Sequence, residues 1–122
     1  MDKKHLLVIE DNLSSLELYT EVFEEEGYRV TATSNGLDAI LSMEGAEYDL
    51  IVTDLKMPEV DGASFALYFG KKYPHVPIVV VSAFTQYRDS IHENAPNVRA
   101  FLAKPVDLEI LKATVRNLLA EK

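Results

Sequence analysis

Leu50-Ile51-Val52-Thr53-Asp54 is the stretch that decides the fold: an unbroken apolar run that stops on a carboxylate. A strand with one face in water alternates apolar and polar side chains. A run that does not alternate belongs to a strand buried on both faces, so helices must lie on both sides of its sheet. Working outward, Leu6-Leu7-Val8-Ile9 and Ile78-Val79-Val80-Val81 have the same character, and Tyr28–Ala32 and Val98–Leu102 complete a set of five strands. The segments between them change period. Leu13, Leu16, Tyr19, Val22 and Phe23 form a helical stripe that Gly27 can close, and Leu108, Leu111, Val115, Leu118 and Leu119 form another. Helices are also expected over Leu37–Met43, Ala63–Tyr73 and Tyr87–Asn94, the last with few apolar residues. Strand and helix in alternation predict an α/β, doubly wound (βα)5 domain: a five-stranded parallel sheet with right-handed crossovers, flanked by helices on both faces.

Composition narrows the function classes. A chain of 122 residues with 48% hydrophobic content fits one domain over residues 1–122, without repeat, linker or low-complexity segment. Twelve basic residues against twenty acidic ones give a net charge of -8, which repels a phosphate backbone, and no basic cluster offsets it, so no direct nucleic-acid partner is expected. No apolar stretch is long enough to span a bilayer and Met1-Asp2-Lys3-Lys4-His5 is not a signal peptide; a cytoplasmic protein without membrane contact is expected. Without cysteine there is no thiolate nucleophile and no Cys-containing zinc site. Any metal is then held by oxygen or imidazole, and oxygen ligands favour magnesium, calcium or manganese. His5, His75 and His92 share no helical spacing and read as surface or packing residues.

In open parallel sheets the reactive site lies beyond the C-terminal ends of the strands. The first run ends on Glu10-Asp11, the third on Asp54, the fourth on Ser82 and the fifth on Lys104. Each has a plain structural reading. Asp11 can cap the following helix, Ser82 can form a turn, and Lys104 can be a surface lysine. Together they would place three carboxylates, a hydroxyl and an ammonium in one crevice. Three such charges repel one another unless a cation intervenes, and magnesium suits a site with few carboxylates. Asp54 is a poor cap, because the loop Leu55-Lys56-Met57-Pro58-Glu59-Val60-Asp61-Gly62 follows it rather than a helix. An ionised carboxylate needs no general base to attack phosphorus, so Asp54 is the candidate phosphoryl acceptor. A cation and Lys104 would supply the charge neutralisation that such a transfer depends on.

Four segments in order, Val8-Ile9-Glu10-Asp11-Asn12, Asp54–Gly62, Val81-Ser82-Ala83 and Phe101-Leu102-Ala103-Lys104-Pro105, resemble the receiver domain of two-component response regulators over essentially the whole chain. The resemblance implies a flavodoxin-like fold. It implies that Asp54 accepts a phosphoryl group from a sensor histidine kinase or a histidine phosphotransfer protein, or from acetyl phosphate. Mg2+ would be bound by Asp11, Asp54 and the Lys56 carbonyl, with Glu10 acting through a water. Ser82 and Phe101 match the family's switch pair and Lys104 its salt-bridging lysine. Positions two beyond the acceptor and two beyond the switch hydroxyl, here Lys56 and Phe84, would set phosphate lifetime, the bulk of Phe84 hindering an attacking water. The output would be a changed surface of the fourth helix, fifth strand and fifth helix, read by a downstream partner or a second copy in a homodimer.

Two positions depart from the commonest pattern. Glu10 stands where aspartate is frequent and lengthens the reach to the metal, and Phe101 replaces a frequent tyrosine, so it can switch by packing alone. Other function classes fit less well. A magnesium phosphohydrolase would carry Asp-x-Asp at the first strand, whereas Asn12 and Leu13 follow Asp11. A scaffold that is never phosphorylated would not need the full set, and no Ser/Thr/Gly-rich phosphate loop for a flavin follows the first strand. A signalling domain rather than a metabolic enzyme is therefore expected, and no output domain is expected within residues 1–122.

Overall fold

Five strands form at the five apolar runs: β1 (His5–Ile9), β2 (Arg29–Thr33), β3 (Leu50–Thr53), β4 (Ile78–Ser82) and β5 (Val98–Ala103). The structure is a computed structural model that describes residues 3–54, 71–83 and 96–121. All neighbouring strands pair in parallel, in the order β2-β1-β3-β4-β5. This is the five-stranded parallel sheet of a flavodoxin-like α/β fold, as expected. β1, β3 and β4 are buried at every residue, whereas β2 and β5, at the edges, are partly exposed. Continuous apolarity thus marks the central strands, which are the ones covered on both faces.

Alternation along the strands divides the core in two. Leu7, Ile9, Ile51, Ile78 and Val80 face one side, with Ala39 and Met43 from helix α2 (Gly36–Gly45) packed on them. Leu6, Val8, Leu50, Val52, Val79 and Val81 face the other, covered by Leu16, Tyr19 and Phe23 of α1 (Leu13–Glu25) and by Leu111 and Val115 of α3 (Leu108–Ala120). Burying each such Leu or Ile contributes roughly 1.5–3 kcal/mol. The stripes are narrower than the sequence suggests. Leu13 is 64% exposed because it opens α1 beyond the strand ends, where no sheet lies beneath it.

Side chains fix the helix starts. The Asn12 Oδ1 accepts the Ser15 N–H at 2.9 Å, Asn35 does the same for Asp38 at 2.8 Å, and Asp107 receives the Glu109 and Ile110 N–H groups at 2.8 and 3.2 Å. The α1 cap is therefore Asn12 and not Asp11, which frees Asp11 for other work. Just past the Glu26 C-cap of α1 stands Gly27, whose φ of +97° is the left-handed conformation that glycine tolerates best. Of the helix expected over Ala63–Tyr73, the described residues include only the end, where Lys71 and Lys72 are helical. Lys56, Phe84 and the helix expected over Tyr87–Asn94 lie outside the described residues.

Candidate functional site

The sheet ladder continues past the ends of β1 and β3 and delivers the acidic residues to one place. The Glu10 N–H donates to the Thr33 carbonyl and the Asp54 N–H to the Ile9 carbonyl, both at 3.1 Å. Neighbouring parallel strands in register thus end on neighbouring carboxylates. Two residues beyond Val8 and Val52 respectively, Glu10 and Asp54 share the face that α1 and α3 cover. They are 1% and 3% exposed, and Asp11 is half-buried beside them.

Two buried carboxylates need a counter-charge, and Lys104 provides it. Its Nζ donates at 2.7 Å to Glu10 Oε1 and at 2.7 Å to Asp54 Oδ2. The Lys104 N–H donates to the Ser82 carbonyl at 3.0 Å, so the β4–β5 ladder holds the lysine at the crevice. From the sequence Lys104 is expected to neutralise charge at the Asp54 site; its bond to Glu10 is additional. The second Glu10 oxygen, Oε2, accepts the Asn12 N–H at 3.0 Å. Asn12, which the sequence offered only as part of a motif, therefore both starts α1 and holds Glu10.

The charges leave their mark on proton affinity. Burial raises the Glu10 carboxyl above its ordinary value, Lys104 and the Asn12 N–H oppose that, and Asp11 and Asp54 add to it. Burial works against the Lys104 ammonium, but its bonds to Asp54 and Glu10 outweigh it and raise the group overall. Lys104 is thus a fixed cation across the physiological range.

Glu10, Asp11 and Asp54 each offer a carboxylate oxygen, and these oxygens lie within 4.8 Å of one another. An all-oxygen set of this size fits a hard divalent cation such as Mg2+, which retains waters and needs few protein ligands. Ser82 is fully buried, and Phe101 is half-buried against the α2-side cluster. The register pairs Ser82 with Ala103 and Val80 with Phe101, so Ser82 and Phe101 stand on the same face of the sheet, one alternation apart. His5 is buried at the opposite end of the sheet among Glu47, Thr31 and Arg29, a packing role as expected.

Known proteins share this arrangement of strands. The family model of the response regulator receiver domain matches residues 6–116. The response regulator SaeR of Staphylococcus aureus is 31% identical over 115 residues, a region covering 94% of this chain and 50% of SaeR. The chain spans about half the length of the curated relatives it matches. The crystal structure of the response regulator TrrA from Thermotoga maritima, a complex with Mg2+-BeF, has a TM-score of 0.84 and 29% identity, covering 94% of this chain and 98% of that one. The receiver domain of the Francisella response regulator 1452 has a TM-score of 0.87 and 26% identity, over 96% of this chain and 97% of that one.

Proposed function

The chain belongs to the response regulator receiver domain family of two-component signalling, and from that premise we propose that residues 1–122 form one receiver domain in which Asp54 accepts a phosphoryl group from a histidine kinase or phosphotransfer protein. A carboxylate oxygen of Asp54 bonds to phosphorus as the bond from phosphorus to the donor's imidazole nitrogen breaks, the electron pair returning to the ring. One observation carries the reading: a buried Asp54 held at 2.7 Å by a lysine that also holds Glu10. The ammonium is pre-positioned beside the reacting oxygen, and as charge passes from Asp54 to the incoming group, Lys104 can follow it without leaving Glu10.

Asp11, Asp54 and the Lys56 carbonyl would hold Mg2+, which when bound neutralises charge on the phosphoryl oxygens. Both Glu10 oxygens already accept hydrogen bonds, which supports an indirect role for Glu10 through a water. Ser82 and Phe101, on one face of β4 and β5, are the switch pair, and Phe84 shields the acyl phosphate from water. The product is a stored signal. A downstream partner or a second copy in a homodimer reads it on the surface that the resemblance assigns to the fourth helix expected from the sequence, to β5 and to α3. No described helix is long and apolar enough to cross a membrane, which agrees with a cytoplasmic regulator.

Incubation of the chain and of Asp54→Asn with acetyl phosphate and Mg2+, followed by intact-mass measurement, tests the assignment. A phosphate adduct on the unaltered chain alone is expected. An adduct on both or on neither counts against Asp54, and repeated turnover of an external phosphate ester would indicate a phosphohydrolase.

A further inference from the structure

Thr53 breaks the apolar run of β3 at its last residue. It is 1% exposed and stands in one row of the sheet between Ile9 and Val80, which are 1% and 0% exposed. Valine has the same shape and would fill that place without a hydroxyl, and burying a hydroxyl costs free energy unless it finds a partner. The Thr53 hydroxyl has one: its Oγ1 donates to the Asp54 carbonyl at 3.1 Å.

That bond completes a frame around the candidate acceptor. The Asp54 N–H donates to the Ile9 carbonyl at 3.1 Å, so β1 holds the main chain on the near side of the Asp54 Cα. Thr53 holds it on the far side, at the first carbonyl past β3. A residue has two soft backbone dihedrals, and at Asp54 each is flanked by one of these bonds. With both held, the side chain that meets Lys104 Nζ at 2.7 Å has little room to turn against the ammonium. The row of Thr53 continues through Val80 to Phe101, and Ser82 stands one alternation further along the same face. Thr53 thus joins the acceptor's main chain to the sheet face that carries both residues of the proposed switch pair.

We infer that Thr53 is a positioning residue of the acceptor site, its hydroxyl fixing the Asp54 main chain so that the carboxylate is presented to the phosphoryl donor in one geometry. The inference rests on Asp54 being the acceptor. Thr53 itself touches neither the phosphoryl group nor the metal; it acts through the Asp54 carbonyl alone.

Two variants of the full chain separate positioning from packing. Thr53→Val keeps the shape and removes the hydroxyl, whereas Thr53→Ser keeps the hydroxyl and removes a buried methyl group. With acetyl phosphate and Mg2+, Thr53→Val should be phosphorylated about three- to tenfold more slowly, the change one neutral hydrogen bond is worth, and Thr53→Ser should restore the rate. In the unphosphorylated protein, the Asp54 carbonyl carbon resonance should move in Thr53→Val and stay in place in Thr53→Ser. Thr53→Ser should have the lower urea midpoint, so a rate that follows the midpoint rather than the hydroxyl would overturn the inference. So would a normal rate in Thr53→Val, or a carbonyl resonance indifferent to the hydroxyl. If the unaltered chain takes no phosphate, the acceptor reading fails and this inference with it; a normal rate in Thr53→Val beside a phosphorylated parent strikes the Thr53 inference alone.

Discussion

Replacing Lys104 by methionine keeps most of the alkyl stem and removes the charge that two buried carboxylates share. Each carboxylate loses a bond of 2.7 Å, and both remain close together at 1% and 3% exposure. Breaking a fully buried ion pair costs about 3–5 kcal/mol; with the Lys104 side chain about a quarter exposed, solvent screening reduces the expectation to about 2–4 kcal/mol. The pH dependence follows from linkage. Burial already raises the Glu10 carboxyl and Lys104 opposes that, so without the ammonium Glu10 stands further above its unfolded value and the folded variant binds more protons than the unfolded chain. That part of the penalty is then fully present above the raised folded value of Glu10 and fades as pH falls toward the unfolded carboxylate range. Urea unfolding followed by circular dichroism in EDTA, at about pH 7.5 and about pH 5, measures both effects. Arg99→Met is the control: it breaks the exposed Arg99–Glu121 pair and should cost less than about 1 kcal/mol. A Lys104→Met penalty below about 1 kcal/mol at neutral pH, or one equal at both pH values, would refute the shared counter-charge.

Other consequences can be measured on the same protein. Burial and the Arg29 guanidinium lower the His5 imidazole below 6.5, so its stabilising contribution is present above that value and is lost as pH falls through the folded value; His5→Gln should flatten that acid limb of the unfolding midpoint. Asn12→Ala removes the α1 cap and should cost about 1 kcal/mol in urea unfolding. At Gly27 an added Cβ would meet nothing within 4 Å, so Gly27→Ala should cost only the backbone penalty of a positive φ, about 1 kcal/mol, read in the same assay.

The central strands were legible because their burial on both faces is written as unbroken apolarity, and the candidate site was legible because parallel strands in register end together. Glu10 and Asp54 could be placed at one edge on that basis alone. Less could be read where a contact depends on distant segments. Lys104 meets carboxylates 94 and 50 residues away, and no local pattern says that it bonds both. The His5 ring is buried because β2 brings Arg29 and Thr31 alongside β1 and the segment before β3 brings Glu47 and Tyr48. Leu13 keeps the helical spacing but misses the core, since periodicity says which side of a helix is apolar and not where the sheet beneath it stops.

β5 is an edge strand, partly exposed along most of its length, and it runs directly into Lys104, whose backbone is tied to Ser82. The fully buried middle of the sheet thus carries Asp54 while its partly exposed margin carries the counter-charge. Under the proposed function, a contact that displaced that margin would also move the ammonium relative to Asp54. Touch at the rim and charge at the centre would then be two readings of one lever, open to a partner that never comes near Asp54.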